Sequence, residues 1–95
     1  MFVVLLKFSD NKTAAPEHMA AHNSWIAQGF TDGVFQCVGS LRPATGGAVL
    51  VHGESREALE ARVRADPFVI HDVVTADIQE IELKRTVSAL DFLKE

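Results

Sequence analysis

The run Phe2–Phe8, Phe-Val-Val-Leu-Leu-Lys-Phe, limits how this chain can fold more than any other segment. It is apolar except for Lys7, rich in β-branched and aromatic residues, and closed by the polar break Ser9-Asp10-Asn11-Lys12. Such a short continuous apolar run reads as a strand that must be covered on both faces. Helices from the same chain can cover one face of a sheet. A chain of 95 residues has room for a single domain over residues 1–95 with one thin core, burying roughly 60–68% of its unfolded surface. The second face must also be hidden, two copies packed sheet to sheet would do it, and a homo-oligomer is the expected assembly.

The remaining segments alternate in type. Thr13 to about Gly29 has helical spacing, with Pro16 in the first turn and Met19, His22, Ile26 and Phe30 on one face. Val34–Leu41 and Ala48–His52 read as two strands joined by the turn-forming segment Arg42-Pro43-Ala44-Thr45-Gly46-Gly47. Ser55 is placed to cap a second helix, and Asp66-Pro67 to end it. Val73–Leu83 reads as a fourth strand, in which apolar residues switch from even to odd positions. That switch predicts a β-bulge at Gln79-Glu80. Val87–Leu93 reads as a short C-terminal helix. The order β-α-β-β-α-β is that of a ferredoxin-like α+β fold, with a four-stranded antiparallel sheet and two helices on one face.

Composition excludes several function classes. Nine basic residues against thirteen acidic ones leave a net charge of −4, which disfavours a phosphate-backbone binder. No apolar stretch is long enough to span a bilayer. The N-terminus lacks the basic leader and small-residue cleavage site of a secretion signal, and the lone Cys37 rules out an internal disulfide framework. The expectation is a reduced, cytoplasmic protein with neither nucleic acid nor membrane as partner.

Among residues that could carry chemistry, His22 is the most informative. It lies one turn after Met19 and one turn before Ile26, so it faces inward, either as a half-buried structural histidine or as a general acid/base. Asp66 is the partner to test. A carboxylate at a helix C-terminus is mildly unfavourable against the helix dipole unless something compensates, and Arg62, Arg64 or an imidazole could do so. Trp25 is either core or a wall beside that imidazole. His18 and His22 have the four-residue spacing of a helix-borne metal pair, but Met19 replaces the glutamate of a zinc-protease motif and no third ligand is evident, so no metal site is assigned. His52 reads as a solvated strand-end residue. Cys37 reads as a buried, inert thiol, with a Cys-His-Asp nucleophile as the alternative.

Taken together, several short motifs resemble the YCII-related family of small ferredoxin-like proteins within the dimeric α+β barrel group. They are the opening strand, His22-x-x-Trp25-Ile26, Gly33-Val34-Phe35, Gly39, Thr45-Gly46-Gly47, Ser55-Arg56-Glu57-Ala58-Leu59 and Asp66-Pro67-Phe68-Val69. In this chain Val38 stands where a small hydroxyl residue often precedes the glycine matched by Gly39. The resemblance implies a homodimer and an active site built on a His-Asp pair, which falls on His22 and Asp66. It also implies similarity to muconolactone-isomerase-type proteins and to a dehydrochlorinase of a chlorinated aromatic.

The resulting expectation is a small enzyme. His22 and Asp66 form its catalytic pair, and Trp25, Gly39, Ser40 and Phe68 bind a small organic substrate. It would carry out isomerisation, elimination or lyase-type chemistry without a cofactor. The alternative is a non-catalytic dimeric module that binds a small metabolite, with His22-Asp66 as a structural hydrogen bond.

Overall fold

A computed structural model describes residues 1–94. Strand β1 (Phe2–Phe8) is followed by a 3-10 turn (Lys12–Ala14) and helix α1 (Ala15–Thr31). Strands β2 (Phe35–Leu41) and β3 (Gly46–Val51) come next, then helices α2 (Arg56–Arg64) and α3 (Pro67–Ile70), strand β4 (Val74–Glu80) and a C-terminal 3-10 segment (Ser88–Lys94). The sheet order is β2-β3-β1-β4, and every neighbouring pair is antiparallel. This is the ferredoxin-like arrangement expected from the order of elements.

Side-chain alternation sorts the sheet into two faces. Phe2, Val4 and Leu6 of β1, Val49 and Val51 of β3 and Val74 of β4 are buried beneath the helices. Leu59 and Val63 of α2 and Phe68 of α3 join them in one core. The opposite face carries Val3, Leu5, Ala48 and Leu50, all half-buried. The first strand is thus covered fully on one face and only partly on the other.

Local signals explain most boundaries. Pro16 occupies the first turn of α1, where its missing N–H costs nothing. Ser55 Oγ accepts from the Ala58 amide at 3.1 Å and caps α2. Gly29 lets α1 and β2 approach closely, because a Cβ there would fall on the Phe35 ring. Gly46 adopts φ 141°, and a Cβ there would strike the Leu6 carbonyl.

Four expectations are corrected. The bulge lies in β2, between Phe35 and Cys37, while β4 pairs with β1 in unbroken register. The apolar phase change near Gln79-Glu80 instead marks the chain leaving the sheet: β4 ends at Glu80, opposite Phe2, the first residue of β1. The second helix stops at Arg64, and Asp66 begins α3 rather than ending α2. The C-terminal helix is of 3-10 type. Cys37 is exposed, because its register partner Leu50 places it on the outer face.

Candidate active site

Asp66 sits at the N-cap of α3, not in solvent at the end of α2. Its Oδ1 accepts from the Phe68 amide at 3.0 Å, a position where a carboxylate is favoured by both capping and the helix dipole. The same oxygen lies 2.7 Å from His22 Nδ1 on α1. Asp66 is 0% exposed and His22 9% exposed. Asp66 Oδ2 is buried with no hydrogen-bond partner among the described residues.

The imidazole is fixed on more than one side. Phe68 stacks on it at 3.9 Å and 4° between planes, and Trp25 flanks it at 5.8 Å. When Nδ1 donates to the Asp66 carboxyl oxygen, the neutral ring is the tautomer whose Nε2 carries a free lone pair. Nε2 has no protein partner among the described residues, and His22 lines the adjoining cavity. A buried carboxylate, an oriented imidazole and a free ring nitrogen at a cavity are the parts of a general acid/base.

That cavity has a volume of about 370 Å³ and lies between α1 and the inner face of the sheet. Of the residues expected to bind substrate, Gly39, Ser40 and Phe68 line it together with His22. Trp25 does not. It stands behind the histidine, donates from Nε1 to the Arg62 carbonyl at 2.9 Å and packs edge-on to Phe35. Arg62 anchors this back wall through Glu54 and Asp32. The bonded Glu54 carboxylate, followed by Asp32, raises the guanidinium above its ordinary value despite partial desolvation. Asp32 is held below the usual carboxylate value by the Gln28 amide first and Arg62 second.

Other candidates fall elsewhere. His18 stacks on His71 at 3.8 Å instead of joining His22. His52 is half-buried and meets Phe92 edge-on at 5.8 Å rather than standing free. Among the described residues no group of three or more His, Cys, Asp or Glu side chains is arranged so that it could hold a metal ion. None of the described helices is long and apolar enough to cross a membrane.

The cavity also uses Met19, Asn23, Ile26, Val38 and Gly47, which sequence inspection did not single out as binding residues. The helical stripe through His22 already contained Met19 and Ile26. Nothing in the local sequence distinguished Gly47 from an ordinary turn glycine.

Comparison with known proteins agrees with this fold. The profile of the YCII-related domain matches residues 1–81. No curated protein matches the sequence. One similar solved structure is a 5-chloro-2-hydroxyhydroquinone dehydrochlorinase from Burkholderia phenoliruptrix, in complex with 2,5-dihydroxybenzoquinone. It is 15% identical, with a TM-score of 0.68 over 85% of this chain and 93% of that one. At this identity the likeness is one of fold.

Proposed function

The chain belongs to the YCII-related domain family, and on that premise we propose that it is a small-molecule enzyme in which His22 moves a proton and Asp66 orients it. The observation that carries this reading is the 2.7 Å contact from His22 Nδ1 to a fully buried carboxylate, with the other ring nitrogen left to a cavity. Nε2 takes a proton from an acidic C–H or O–H of the substrate. The electron pair left behind forms a double bond and expels a leaving group, or the imidazolium returns the proton to a second atom. Asp66 stabilises the imidazolium while it exists. A dehydrochlorinase of similar fold supports elimination on a small organic molecule as the reaction class.

A second copy completes the assembly. Val3, Leu5, Ala48 and Leu50 leave an apolar patch on the outer face, and pairing two such faces covers it.

Screening candidate substrates for elimination and isomerisation, with His22→Asn as the control, tests the proposal. The variant is expected to fold and to lose about 10²–10⁴-fold in turnover. Full activity in His22→Asn would show that the pair is structural.

A further inference from the structure

One guanidinium ties three segments together behind the imidazole. Arg62 Nε and Nη2 donate to the Glu54 carboxylate at 3.0–3.2 Å, and Nη1 donates to Asp32 Oδ2 at 2.9 Å. Glu54 lies in the loop before α2, and Asp32 caps the end of α1. The rigid fork of an arginine reaches two carboxylates in fixed directions at once, which a lysine ammonium on its flexible stem does not.

The backbone of Arg62 makes a second attachment. Its carbonyl lies in the last turn of α2, where helices leave carbonyls without an amide four residues on. The Asp66 amide goes to Val63 instead, so the Arg62 carbonyl takes the Ala65 amide at 3.1 Å and Trp25 Nε1 at 2.9 Å. Trp25 and Asp32 are about two turns apart on α1, and so lie on one side of it. Arg62 therefore grips that side at two points. Phe35 fills the space between, edge-on to Trp25 at 5.2 Å and facing the guanidinium at 5.9 Å.

His22 lies on the same helix, its ring 5.8 Å from that of Trp25. Its 2.7 Å contact with Asp66 is met only at one rotation of α1 about its axis. At the ~5–6 Å outer radius of a helix, a turn of about 10° carries a side-chain tip roughly 1 Å. A misplacement of about 1 Å can cost about 10²-fold in rate. Asp66 holds α1 from α3 and Arg62 holds it from α2, so the two attachments together fix that rotation.

We infer that Arg62 is a positioning residue of the site: by gripping Trp25 and Asp32 it sets the rotation of α1 at which His22 Nδ1 meets Asp66 and Nε2 faces the cavity. Arg62 itself does not line that cavity. Its effect on rate rests on His22 being the acid/base group. Its effect on the ring does not.

Two variants of the full-length protein separate this role from bulk stability. Arg62→Lys keeps the charge and loses the fork. Trp25→Phe keeps an aromatic ring and loses the Nε1 donor. The first readout is the His22 Nδ1 proton in NMR, which a carboxylate acceptor moves downfield and protects from exchange, recorded well below each variant's Tm. Both variants should lose or broaden that resonance. In Arg62→Lys the emission of Trp25, the single tryptophan of the chain, should move to longer wavelength as the indole meets water. No such Nδ1 resonance in the wild type, an unchanged one in either folded variant, or unchanged Trp25 emission in folded Arg62→Lys overturns the inference. If Arg62→Lys does not fold, Trp25→Phe decides.

The second readout is turnover of a substrate that requires His22. Both variants should lose about 10²-fold in kcat at unchanged KM. The double variant should lose no more than the worse single one, because both substitutions break one clamp. Unchanged kcat, or losses that multiply in the double variant, overturns the inference. A fully active His22→Asn enzyme would sink the acid/base reading instead, and the Nδ1 proton alone would then judge Arg62.

Discussion

One oxygen of Asp66 holds both His22 and the start of α3: Oδ1 lies 2.7 Å from His22 Nδ1 and accepts from the Phe68 amide at 3.0 Å. The contact spans 44 positions of sequence. It links the orientation of the imidazole to the helix that supplies Phe68, the ring stacked on that imidazole.

Substitutions at Asp66 should therefore separate catalysis from folding. Asp66→Asn keeps an N-cap side chain but can hold the imidazole in the wrong tautomer. Turnover is expected to fall by about 10³–10⁴-fold, the scale seen for the equivalent change in a Ser-His-Asp triad, with a small change in Tm. Asp66→Ala removes a cap worth about 1 kcal/mol and leaves a buried imidazole nitrogen unpaired at about 1–3 kcal/mol. Urea unfolding should show a loss of about 2–4 kcal/mol. Equal stability of the two variants would contradict this account.

Gly29 is expected to resist the substitution that usually strengthens a helix. Alanine gains up to about 1 kcal/mol in propensity, but its Cβ would land on the Phe35 ring. Overpacking of this kind costs about 1–3 kcal/mol, and the atoms met include the ring carbon nearest the backbone, which cannot swing away. Gly29→Ala should lower Tm by several degrees, at about 4–8 °C per kcal/mol for a domain of this size. An increase in Tm would mean that Phe35 moves freely.

Asp32 should make stability sensitive to acid. Its carboxyl is held below its ordinary value of 3.8 by Gln28 and then Arg62. The folded state therefore binds its proton less readily than the unfolded state. The contribution is complete above about 3.8 and disappears as pH falls through the lower folded value. In thermal melts across that window the wild type should lose its advantage over Asp32→Asn. A difference in Tm that does not change with pH would rule out the linkage. The consequence reaches the site, because Asp32 braces Arg62, whose carbonyl holds Trp25 beside His22.

The outer face gives a prediction about assembly. Leu5 lies there between Ala48 and Asp77 in register. Sedimentation of the wild type should give twice the 10.4 kDa chain mass, and Leu5→Lys should give the chain mass alone with its spectrum of secondary structure unchanged. A monomeric wild type would leave this face to another partner.

Much of the fold was legible before any coordinates because its signals are local. Ser55 capping α2, Pro16 opening α1 and the unbroken apolar run of β1 each depend on residues within a turn or a strand of one another. The bulge was misplaced for the complementary reason. A change of apolar phase records only that a chain alters its surroundings, and at Glu80 the alteration was the end of the partner strand. Asp66 was legible as an awkward residue, but its capping of α3 was not, since a helix of four residues (Pro67–Ile70) has too few positions to show a period.

The sequence by itself determined the order and types of the elements and the inward placement of His22. Helical and strand periods are written into spacing along the chain. Only the tertiary structure decided that His22 and Asp66 meet, that Trp25 stands behind the imidazole instead of in the cavity, and that Gly39, Ser40 and Phe68 share that cavity with His22. Those outcomes depend on strand register and on how helices seat upon the sheet. Contacts of that kind join residues tens of positions apart and leave no trace in local spacing.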